Sequence, residues 1–154
     1  MPKPRHPALI SLGLAALMAL ASGCEGGSPK APRRAEIRAV GPATIEVVPA
    51  PGQLAHCLVF TESESGVIRQ LTMPFDDLSI PCEPGKPVGD EKYKIPVSEG
   101  KVRVYVIFSD RTLKGSTVAS QLHEMWSNKK VLTAMDLRAP GQAAIEILEF
   151  TPSK

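Results

Sequence analysis

Residues 101–109, KVRVYVIFS, place Val102, Val104, Val106 and Phe108 on one face of an extended chain, while Lys101, Arg103 and Tyr105 begin the other. At Val106-Ile107-Phe108 both faces are apolar. Such a strand needs cover on both sides, which predicts a central position in a sheet with its polar end reaching water. Short β-branched runs lie outward from it: 36–40 (EIRAV), 44–48 (TIEVV), 54–62 (LAHCLVFTE), 67–73 (VIRQLTM) and 93–97 (YKIPV). Gly41-Pro42-Ala43 and the polar turn 63–66 punctuate them, and 74–92, with Pro74, Pro81, Pro84 and Pro87, reads as a long loop. Towards the C-terminus, 131–137 (VLTAMDL) and 143–151 (AAIEILEFT) read as a closing hairpin about the turn 138–142.

One helix interrupts this pattern. Ser116 or Thr117 can cap it; Val118, Leu122, Met125 and Trp126 then fall on one helical face, with Ser120, Glu124 and Lys129 or Lys130 facing water. About eight strands and one helix predict a mainly β fold. The expected architecture is an antiparallel immunoglobulin-like β-sandwich with one short helix, the alternative being an α+β sheet covered by that helix.

Composition agrees. In 154 residues, 15 Pro and 12 Gly punctuate a chain that is 43% hydrophobic. That is too apolar for disorder and too interrupted for a helical bundle, and the length suits one domain. Lys and Arg number 18 against 16 Asp and Glu. Nucleic acids and anionic membrane surfaces are bound through a surplus of cations, so neither is an expected partner of the domain.

The N-terminus carries a different signal. Residues 1–7 (MPKPRHP) are short and basic, 8–21 (ALISLGLAALMALA) are uncharged and apolar, and Ser22-Gly23-Cys24 follow. That is the plan of a signal peptide, its apolar run shorter than the roughly 18 residues that span a bilayer. Residues 20–24, Leu-Ala-Ser-Gly-Cys, resemble the lipobox of bacterial lipoproteins, with Ala21 where that family prefers Leu. The resemblance implies cleavage after residue 23, lipid on the Cys24 sulfur, usually a further acyl chain on its amine, and a membrane partner held through that lipid. Two or more chains make the anchor effectively permanent. Glu25 stands where enterobacterial lipoproteins retained at the inner membrane carry Asp, which favours the outer membrane. Residues 24–35 then form the lipidated Cys and a flexible tether, and 36–154 a single β-rich domain. Removal of Lys3 and Arg5 with the signal peptide leaves 16 cations against 16 anions.

Residues 100–122 (GKVRVYVIFSDRTLKGSTVASQL) also resemble a module of uncharacterised bacterial surface and signalling proteins, in which a strand ending aliphatic-Phe-Ser leads through a turn to a helix. That likeness implies a β-sandwich accessory domain and supplies no catalytic residue.

The chemical inventory is sparse. His56 and His123 are the only imidazoles beyond the signal segment, and neither HExxH nor CxxC occurs, so no metal or other cofactor is expected. Gly115-Ser116-Thr117 is not a nucleophile elbow, and Ser109-Asp110 reads as a strand-to-turn signal. Asp76-Asp77 offers too few oxygens for Ca²⁺ and reads as a solvated turn. Glu83-Pro84-Gly85-Lys86-Pro87 lacks the amides that cradle phosphate. Trp126 reads either as core or, with Lys129 and Lys130, as a partner-binding patch.

Assigning Cys24 to lipid leaves Cys57 and Cys82 as a pair in an oxidising compartment, where a disulfide is expected to pin the Pro-rich loop to a core strand. The resulting expectation is a lipid-anchored envelope protein with a non-enzymatic binding or structural domain and an envelope protein as partner. An accessory lipoprotein of a secretion or motility machine, or an envelope hydrolase with an unrecognised site, are the alternatives.

Overall fold

The computed structural model describes residues 31–154; Cys24, the signal segment and the tether through residue 30 lie outside them. Among the described residues the fold is mainly β, with antiparallel sheets and a single α-helix. A three-stranded sheet is ordered β1 (Ala35–Gly41), β2 (Thr44–Pro49), β6 (Tyr93–Lys94). The larger sheet runs β4 (Ile68–Gln70), β3 (His56–Ser63), β7 (Val102–Ser109), β8 (Ala143–Phe150), with β5 (Ile80–Pro81) pairing the His56 end of β3 on the same edge as β4.

The doubly apolar reading of residues 106–108 is explained by two cores. One face of the large sheet, carrying Cys57, Val59, Val104, Val106, Phe108 and Leu148, packs on Ile45, Val47, Tyr93 and Ile95 of the small-sheet side. The other, carrying Leu58, Phe60, Tyr105 and Ile107, packs on Val118 and Leu122 of helix α1 (Gly115–Ser127), with Leu113 and Leu132 alongside. Each fully buried apolar side chain contributes about 1.5–3 kcal/mol. The expected sandwich and the helix-covered sheet are thus two sides of one structure.

Three local readings change. Residues 131–137 form a turn and not a strand, and β8 pairs with β7 instead. Thr133 Oγ1 donates to the Asp136 carboxylate at 2.5 Å and the Asp136 amide returns to the Thr133 carbonyl, so side chains satisfy this backbone locally. Leu132 is fully buried there, and Leu137 packs partly buried against the same core. Within the long loop, Ile80 and Pro81 pair with Cys57 and His56, forming the short strand that the sequence reading treats as loop.

Asp77, read from sequence as part of a solvated turn, has a structural task. Helix α1 has no capping side chain of its own; the Ser116 amide instead donates to both Asp77 carboxylate oxygens at 3.0 and 3.2 Å. The Asp77 carbonyl accepts from the Gly115 amide at 2.8 Å. Hydrogen bonds from Ser116 hold the Asp77 carboxyl below its ordinary range.

Candidate functional site

Beyond the apolar patch covered by α1, the same sheet face turns polar. The register places Glu62 of β3, Arg103 of β7 and Glu149 of β8 in one row across three strands. Opposite charges therefore alternate between neighbouring strands. Arg103 Nη1 donates to Glu62 Oε1 at 2.8 Å, and the Tyr105 hydroxyl donates to Glu62 Oε2 at 3.2 Å. The Glu62 side chain is 1% exposed and that of Arg103 44%, so the carboxylate is sunk into the floor and the guanidinium reaches solvent. Burial opposes the charge on Arg103, but Glu62 more than offsets it and holds the guanidinium above its ordinary value. Burial, reinforced by Glu62, pushes the Tyr105 phenol up to about 12. Lys101 pairs with Glu149 at 2.8 Å, and this contact lowers the Glu149 carboxyl from its usual range.

The C-terminal end of α1 stands over this floor and encloses an open cleft of about 500 Å³. Its wall carries Trp126, Lys129, Lys130 and Val131, and its rim Ser63 and Glu64. Trp126 is half-buried, which resolves the choice between core and surface as a position between the two. Its six-membered ring lies against Gly66, where an added Cβ would approach ring atoms to 2.3 Å. The His123 ring stacks beside it with centroids 6.3 Å apart.

The helix ends in a Schellman arrangement: Lys130 N–H donates to the Met125 carbonyl and Lys129 N–H to the Trp126 carbonyl, both at 2.9 Å. Lys129 occupies the left-handed position of this cap at φ 55°, a place that favours glycine. The structure therefore gathers Trp126, Lys129 and Lys130 on one cleft, while the floor residues Glu62, Arg103 and Glu149 went unassigned in the sequence reading. The available signal was the polar start of the strand at Lys101, Arg103 and Tyr105.

The other candidates fall elsewhere. Cys57 and Cys82 are joined in a disulfide with Cα atoms 5.5 Å apart. His56 begins β3, with its Nδ1 buried and lacking a hydrogen-bond partner, whereas His123 lies beside the cleft past the other end of that strand. Among the described residues no group of three or more His, Cys, Asp or Glu side chains is placed to hold a metal ion.

No protein-family model, curated protein or solved structure matches the chain.

Proposed function

We propose that this protein is a lipid-anchored lipoprotein of the bacterial cell envelope, held through Cys24 with the outer membrane as its favoured address, whose β-domain binds an envelope protein without catalysing a reaction. The observation that carries the reading is the order of residues 1–24: basic, then apolar, then Ser22-Gly23-Cys24. The disulfide between Cys57 and Cys82 supports an oxidising compartment. A cleft that collects an aromatic ring and several cations at one end of a rigid sheet supports a binding role.

Labelled fatty acid tests the anchor. Wild-type protein is expected to incorporate the label and partition into detergent, whereas Cys24→Ser accumulates as an unlabelled, uncleaved precursor. Unlabelled wild-type protein in the aqueous phase would remove the lipoprotein reading. The binding role is tested separately by recovery of the intact protein from solubilised envelopes with its co-purifying proteins.

A further inference from the structure

We propose that the cleft between the end of α1 and the large sheet receives an acidic peptide segment of a protein partner. Two of its carboxylates, Glu62 and Glu149, are already taken by Arg103 and Lys101. Lys129 and Lys130 form no ion pair among the described residues, which leaves two uncommitted cations on the wall against Glu64 on the rim. Trp126 and Val131 add apolar lining between the charges. A ligand that alternates carboxylates with aliphatic side chains matches this surface.

A phosphate-rich ligand matches it less well. Lysines act as separate point charges and not as the bidentate forks that suit phosphate, and a phosphate offers nothing aliphatic to Trp126 and Val131. A membrane surface is disfavoured by charge, since Glu64 on the rim interrupts the dense positive field that an anionic surface needs. The chain enters the domain at Ala35, beside Pro49, and Arg34 neighbours Gln142, Ala143 and Ala144 at the Ser109 end of β7. The cleft opens at the Val102 end, roughly 25 Å along the strand. The chain therefore enters the domain away from the cleft end of the large sheet.

Lys129 supplies an independent observation. A non-glycine residue in the left-handed cap position is strained, and strain of this kind is retained where a side chain is needed. Lys129 lines the cleft as the first cation after Trp126.

This occupant presupposes the binding role proposed above, but the two fail differently. A partner retained by wild type and equally by a Lys129 variant would leave the binding role standing and remove the cleft as its site. The direct experiment uses the full chain in detergent micelles with two blocked peptides, Glu-Leu-Glu-Leu-Glu and its Gln counterpart. The chain has one Trp, so the emission of Trp126 reports on the cleft without background. The acidic peptide is expected to change that emission saturably, with affinity falling as salt rises, and the Gln peptide to leave it unchanged.

Lys129→Gly should raise Tm by about 3 °C while weakening binding about fivefold, so the loss cannot come from unfolding. Lys130→Gln should weaken binding similarly with Tm unchanged. Equal binding of both peptides, no saturable response, or full affinity in both lysine variants would overturn the proposal. So would saturable binding of phosphatidylglycerol vesicles or inorganic phosphate in place of the peptide.

Discussion

Gly66 and Trp126 show how one missing Cβ shapes the cleft. Gly66 has φ 84°, and a methyl group there would meet Trp126 at 2.3 Å. Gly66→Ala combines left-handed strain with overpacking, and is expected to cost about 2–4 kcal/mol in denaturant unfolding and to expose the indole, seen as a red-shifted emission. Unchanged stability with unchanged emission would mean that the ring does not rest on this turn. The two tyrosines of the chain give a second residue-scale test. Burial raises both Tyr93 and Tyr105, the latter to about 12. The folded state therefore holds these protons more tightly than an unfolded chain, whose phenols titrate near about 10. Their contribution is fully present below that pH and is lost as pH rises from it towards 12. Tyrosinate absorbance should stay low through pH 10 and rise together with loss of near-ultraviolet circular dichroism. Reversible titration near 10 in the folded protein would contradict the burial of both rings.

The disulfide acts at the scale of an element, because it fixes β5 against β3. A sequence separation of 25 residues between Cys57 and Cys82 corresponds to about 3.5 kcal/mol of chain-entropy stabilisation. Cys82→Ser should lower Tm by about 10 °C, and the denatured wild type should show two reactive thiols from this pair only after reduction. Two thiols before reduction would exclude the bridge. This pairing was legible because cysteine usage follows compartment, and the central strand at 102–109 was legible because apolar residues on both faces admit few other positions. The strand expected at 131–137 was not a strand, since Thr133 and Asp136 bond to each other and compete with a ladder. The helix cap was hidden for a different reason: Asp77 reaches Ser116 across 39 residues of sequence. For the site, Trp126, Lys129 and Lys130 are neighbours in the chain and could be grouped by reading alone. Glu62, Arg103 and Glu149 come from three strands, and only the register of those strands brings them together.

At the scale of the whole described domain, the two ends of the large sheet differ in character. Near Ser109 the first residues of the domain join the sandwich, with the Arg34 amide donating to Glu146 at 2.8 Å. Near Val102 the sheet runs out beneath the helix C-terminus and leaves a charged, partly apolar cleft. The mass of the N-terminal peptide of protein purified from envelopes tests the proposed anchor on Cys24. The expected peptide begins at Cys24 with a diacylglyceryl group on sulfur and a further acyl chain on the amine. A free Cys24 thiol, or a mature chain beginning at any other residue, would contradict it.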